Sequence, residues 1–236
     1  VFIAFSSPRE ERNAILVILA MLFFQVTFFS LFEQAGSSVT MFTERGVDRE
    51  VFGFTVPTSQ FQALNPFFII LLGPLFSWGW TALSARGKEF FPTTKFALSL
   101  VQVALGFCAL IYGIKSVGDS GLVSVGWLVL AYFLHTTGEL CISPVGLSMV
   151  TKLAPQKLLS TLMGVWFLSI SFANHLAGLF SKIASVGSGN GDTLSALLQY
   201  EKAFTIVVYF AFIMAAVLVV IAPFLNKVFA KNNQTT

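Results

Sequence analysis

The sequence predicts an all-α integral membrane protein of six transmembrane helices. Composition is the first reason: 11% of the 236 residues are charged and 56% are hydrophobic, 27 of them Phe. Soluble domains carry about 25% charged residues, so this chain lacks the charge to cover a soluble surface. Its mean hydropathy of +0.81 agrees. Patterning is the second reason: six apolar runs each exceed the roughly 20 residues that a helix needs to cross a bilayer. Lipid offers no water to unpaired backbone groups, so such runs must be helices.

The predicted spans are residues 13–42, 58–85, 93–114, 122–150, 158–185 and 204–229. Residues 1–12 end in Ser6-Ser7-Pro8-Arg9-Glu10-Glu11-Arg12 and read as a cytoplasmic linker, residues 13–229 as one six-helix bundle, and residues 230–236 as a short cytoplasmic tail. The turns between spans carry breaker residues: Gly46-Val47-Asp48-Arg49, Arg86-Gly87-Lys88, Gly118-Asp119-Ser120-Gly121, Ala154-Pro155-Gln156-Lys157 and Gly187 to Asp192. A chain that begins at Val1 is read as part of a longer protein.

Six spans return both termini to one side. That side holds Arg9, Arg12, Arg86, Lys88, Lys95, Lys152, Lys157, Lys227 and Lys231; the other holds Arg45, Arg49, Lys115, Lys182 and Lys202. This excess of basic residues places both termini in the cytoplasm of a multi-pass plasma membrane protein. The same residues sit at the ends of apolar runs and form no nucleic-acid footprint. Cys108 and Cys141 both lie in apolar runs, which provides neither a disulfide framework nor metal-ligand spacing. Gly118-Asp119-Ser120-Gly121 shares part of a serine-protease signature but lies in a short loop, and no phosphate loop, dinucleotide fingerprint or zinc motif is present.

Polar residues at depth carry the functional signal. An ionised side chain at the bilayer centre costs roughly 2.5–3.5 kcal/mol on insertion scales, so Glu33 and Glu139 are expected to be functional. Each falls in the first span of a set of three, an arrangement that fits a 3+3 inverted repeat with a midplane site. From the shared turns, at about 1.5 Å per residue, Glu139 lies about 16 Å deep, Trp166 about 12–16 Å, Glu33 about 14 Å and Asn65 about 10–12 Å. All four approach the middle of a core roughly 30 Å thick. Glu139 and Ser143 share a helix face, as do Gln62 and Asn65. Pro66 and Pro144 each remove a backbone donor beside these groups. Trp166 offers an aromatic wall or core packing. His135, four residues before Glu139, reads equally as sharing its face or as a histidine bonded to a neighbouring helix, and His175 is expected to pack. Ser169, Ala173, Ala177 and Ser181 form a stripe at four-residue spacing that reads as close helix contact.

Four strings occur in order: Phe32-Glu33-Gln34-Ala35-Gly36-Ser37-Ser38, Phe61-Gln62-Ala63-Leu64-Asn65-Pro66, the run from Gly138 to Ser148, and Gly164-Val165-Trp166-Phe167-Leu168-Ser169. Together they closely resemble the proton-dependent oligopeptide transporters of the major facilitator superfamily, in their C-terminal six-helix half. The resemblance implies a symporter of di- and tripeptides with protons, working by alternating access, with no cofactor and no enzymatic activity. It implies that Glu139 and Glu33 pair with basic residues of an N-terminal half, and that Gln62, Asn65, Glu139, Ser143 and Trp166 contact peptide. It also implies that half as partner, beside the lipid bilayer. The family's N-terminal signature is absent, since Glu10-Glu11-Arg12 does not match it. Other readings are a relative carrying another small solute such as nitrate, or a non-transporting receptor or scaffold. An intramembrane acid hydrolase needs adjacent carboxylates, whereas helix counting puts Glu33 and Glu139 on opposite helix pairs.

Overall fold

The computed structural model describes residues 8–88, 90–118, 121–185 and 193–232. Among these, six helical segments are long and apolar enough to cross a membrane. The helices are α1 (Arg9–Phe32), α2 (Ser38–Gly46), α3 (Leu64–Ala85), α4 (Pro92–Lys115), α5 (Val125–Leu153), α6 (Leu159–Ser185) and α7 (Thr193–Asn232). The sequence predicts one helix over 13–42, but the first span is two helices. A 3-10 turn at Glu33–Gly36 separates α1 from α2, and Ser37 sits outside helical backbone at φ −132°, ψ −94°. Gly36 has no side chain to restrain the chain there, and the freed backbone groups are taken up by Gln34, as described below.

Two boundaries move outward. The residues read as a linker start α1 at Arg9, since Pro8 supplies the fixed φ that suits a helix entry; residues 1–7 lie outside the described residues. The last helix starts at Thr193 rather than 204 and runs 40 residues to Asn232, into the segment read as tail. Its early turns are held from the side: Leu197 fills the space beside Gly46, Tyr200 and Phe204 pack on Phe42, and Lys115 pairs with Glu201 at 3.3 Å. Tertiary packing, not hydropathy, sets this end. The turn from Gly187 to Asp192, and Asp119-Ser120, lie outside the described residues.

The core sits where α4 packs along α5 and α7. Phe96, Leu100, Val103 and Phe107 of α4, Leu128 and Ile142 of α5, and Phe204, Ala211 and Leu218 of α7 are buried there. Two short pairings lock the loops at the end away from the termini. Strand β1 (Val47–Asp48) runs parallel to β4 (Val123–Ser124), and β2 (Glu50–Val51) forms a hairpin with β3 (Phe54–Thr55). Phe52 and Gly53 turn that hairpin at φ +52° and +80°, the signs a two-residue type I′ turn requires.

The stripe of Ser169, Ala173, Ala177 and Ser181 is buried, as the spacing predicts. It lies where α1 crosses α6. The Gln34 amide, inside the break in the first span, donates to the carbonyls of Ser30 and Ala177, both at 3.1 Å, and its oxygen accepts from Ser38 Oγ at 2.7 Å. One side chain thus closes the α1 end, starts α2 and ties both to α6. Gln34→Leu strands those groups in a buried setting and is expected to lower stability by about 1–3 kcal/mol. Thermal unfolding in detergent measures this; an unchanged midpoint removes Gln34 as the tie.

Candidate functional site

Helix α5 passes through Glu139 and continues unbroken across Pro144, although the proline leaves the Leu140 carbonyl without its helical donor. Glu139 is half-buried on this helix. Asn65 stands in the first turn of α3, where Pro66 is tolerated because the early N–H groups have no helical partner. The Asn65 amide donates to Glu139 Oε2 at 2.8 Å and reaches Thr136 Oγ1 at 3.2 Å. Thr136 in turn donates to the Tyr132 carbonyl at 2.7 Å, which fixes its hydroxyl beside the pair. A donor from α3 therefore bonds a carboxylate from α5, and the hydrogen bond to a charged acceptor is among the stronger ones proteins make.

Glu33 is half-buried at the C-terminal end of α1. Glu33 opens the 3-10 turn at which the first span breaks. Among the described residues neither Glu33 nor Glu139 makes an ion pair. The Asn65–Glu139–Thr136 cluster thus holds one carboxylate, one amide and one hydroxyl, and its carboxylate can accept a proton or bind a cation or an amine.

The remaining predicted residues take different places. Gln62 lies in the 3-10 turn before α3 (Thr58–Ala63), exposed, and donates to Thr40 Oγ1 at 3.3 Å rather than joining Asn65. Its backbone lies outside the α-helix, so three-residue spacing does not align the two. Ser143 is half-buried one turn beyond Glu139. Trp166 is 3% exposed, and its ring lies on the backbone of Gly146, where a Cβ would strike it. In this conformation it fills the crossing of α5 and α6, two turns of α5 from Glu139.

His135 is buried, with Nε2 at 3.2 Å from the Val103 carbonyl and its ring between Phe107 and Phe32. Gly106 leaves the room it occupies. It is a satisfied core histidine. His175 is exposed, which corrects the expectation of packing: it falls off the Ser169–Ala173–Ala177 stripe that turns inward. Thr136 and Gln34 are the residues that sequence reasoning missed. Gln34 stands inside a quoted string beside Glu33, and Thr136 stands three residues before Glu139, on its helix face; that spacing was the available signal.

Six membrane-length helices and their likeness to a solved transporter define a polytopic membrane protein of the major facilitator type. The chain belongs to the POT family: the family model described as PTR2, POT family, matches residues 2–197. It is 41% identical over 173 residues to peptide transporter YePEPT of Yersinia enterocolitica, covering 72% of this chain and 34% of that protein. It is 34% identical over 224 residues to dipeptide and tripeptide permease A of Escherichia coli, covering 95% of this chain and 44% of that one. A solved peptide transporter POT in complex with alafosfalin superposes with a TM-score of 0.79 at 29% identity, covering 94% of this chain and 43% of that one. The chain therefore spans less than half the length of these relatives.

Proposed function

We propose that this chain forms one six-helix half of a proton-coupled di- and tripeptide symporter that works by alternating access. The observation that carries the reading is the Asn65–Glu139 hydrogen bond, which joins two membrane-spanning helices. Acids at such depth persist where a wet cavity or an incoming partner serves them. The POT family membership and the likeness to proteins named as peptide transporters support peptides as the class of cargo.

In this proposal Glu139 and Glu33 each pair with a basic residue of an N-terminal half in one conformation and take up a proton in another. A carboxylate holds its proton more tightly once a cationic partner leaves, so rocking of the halves changes proton affinity as it opens a gate. Glu139 also receives the peptide amine. Asn65 orients the Glu139 carboxylate and, with Gln62, contacts the peptide backbone. Ser143 lines the same face, and Trp166 sets the wall beside it by fixing the α5–α6 spacing. No cofactor takes part; the proton is the coupling ion. The basic excess on the terminal side puts both ends of this segment in the cytoplasm of a bacterial inner membrane.

Uptake of labelled dialanine by the full-length protein, with unlabelled peptides and nitrate as competitors, tests the cargo. Competition by di- and tripeptides but not by free amino acids or nitrate is expected; displacement by nitrate alone overturns the peptide reading. Asn65→Ala is expected to weaken dipeptide affinity about tenfold, the scale of one hydrogen bond to a charged group. The fold is expected to persist, because Asn65 is only half-buried. Unchanged affinity in a binding titration takes Asn65 out of the pocket.

A further inference from the structure

Thr136 lies within α5, three residues before Glu139 and on the same side of the helix. It is 0% exposed, so it touches no ligand itself, whereas Asn65 and Glu139 are both half-buried. The Thr136 hydroxyl spends its single hydrogen on the Tyr132 carbonyl, one turn back, at 2.7 Å. Toward Asn65 it therefore offers only lone pairs, and the Asn65 amide answers with an N–H at 3.2 Å. The other amide hydrogen goes to Glu139 Oε2 at 2.8 Å.

These two acceptors decide which way the amide faces. A flipped amide sets Asn65 Oδ1 against a carboxylate oxygen and against a hydroxyl whose hydrogen is already used, two contacts between acceptors. With both amide hydrogens committed to α5, Oδ1 is the Asn65 side-chain atom left without a bond among the described residues. Without the Thr136 hydroxyl, one bond to Glu139 holds the amide, and the group can swing about it. The helices themselves do not depend on this hydroxyl. Phe68, one turn along α3, packs edge-on against Phe133 of α5 with ring centroids 5.5 Å apart, and α3 packs chiefly on α5. Apolar contact thus holds the two helices in register, and the effect of the hydroxyl falls on the amide.

We propose that Thr136 is a positioning residue of the peptide site: it locks the Asn65 amide so that N–H meets Glu139 and Oδ1 stays free for the ligand. This rests on the peptide-binding role proposed above for Asn65 and Glu139. Thr136 acts through Asn65 and makes no contact with peptide. An amide set in advance loses little freedom when a ligand arrives, which lowers the cost of ordering the site.

The test is a double-mutant cycle on the full-length protein in detergent, with dialanine affinity measured by titration. Thr136→Val keeps the side-chain shape, removes the hydroxyl, and is expected to weaken dialanine binding about fivefold. Thr136→Ser returns the hydroxyl and is expected to recover most of that loss. In an Asn65→Ala background, Thr136→Val is expected to have no further effect, because the amide it holds is gone. An equal loss in both backgrounds overturns the proposal and makes Thr136 a packing residue; so does wild-type affinity in Thr136→Val. Thermal midpoints of wild type, both single variants and the double variant, taken without peptide, provide a second cycle. Their shifts are expected to be non-additive, and additive shifts overturn the coupling of Thr136 to Asn65. That second cycle stays readable if wild type binds no dialanine, a result that removes the cargo reading alone.

Discussion

Glu139→Gln in the full-length protein is expected to reduce proton-driven dialanine uptake about tenfold or more while leaving the protein folded in the membrane. The substitution keeps the shape and the contact with Asn65 but removes the charge that a proton or a peptide amine can answer. A charged hydrogen bond is worth about 1.5–3 kcal/mol, so losing the ionised partner of a substrate amine corresponds to at least a tenfold change. Proton-independent exchange of peptide between the two sides is expected to fall less than driven uptake, since exchange needs the pocket but no net proton movement. Driven uptake at the wild-type rate sinks the role assigned to Glu139. Glu33→Gln provides the paired measurement: both acids are assigned to one coupling cycle, so their combined effect is expected to be non-additive.

Trp166→Ala has the largest expected effect on stability. The ring is 3% exposed and seated on Gly146, so truncation opens a cavity between α5 and α6 that the helix backbones cannot close. Large-to-small aromatic changes of this kind cost about 3–5 kcal/mol. On the usual scaling this lowers the thermal midpoint by on the order of 10 °C. Gly146→Val attacks the same contact from the other side: its side chain meets the ring, and overpacking costs about 1–3 kcal/mol. Both variants are read by unfolding in detergent, beside dipeptide affinity. A wild-type midpoint with lost affinity in Trp166→Ala makes the ring a wall of the pocket and removes it from the core.

The membrane class of this protein was legible because its causes are local. Charge fraction, run length and turn residues act on every segment by itself, so six spans follow from them without knowledge of neighbours. Their edges were less legible. Residues 193–203 carry Glu201 and Lys202 and read as outside the last span, yet α7 takes them in because Phe42, Gly46 and Lys115 hold them there. The break at Glu33 was hidden for the same reason: it is stabilised by Gln34 bonding to a carbonyl 143 positions away. Of the candidate site, Asn65 and Glu139 were found from their depth, since two polar residues counted inward from different turns reach one level.

The sequence by itself therefore determined six segments long and apolar enough to cross a membrane and the family they belong to, and it singled out the acids to test. These follow from hydropathy, from motif strings and from the high cost of charge in lipid. Tertiary structure alone decided which of those residues meet. It joined Asn65 to Glu139 and Thr136, sent Gln62 to Thr40, and buried the Trp166 ring against Gly146. The physical reason is that depth is a one-dimensional quantity, which residue counting supplies, whereas contact between helices depends on rotation and crossing. Those are set by small residues, breaks and side-chain bonds between segments far apart in the chain.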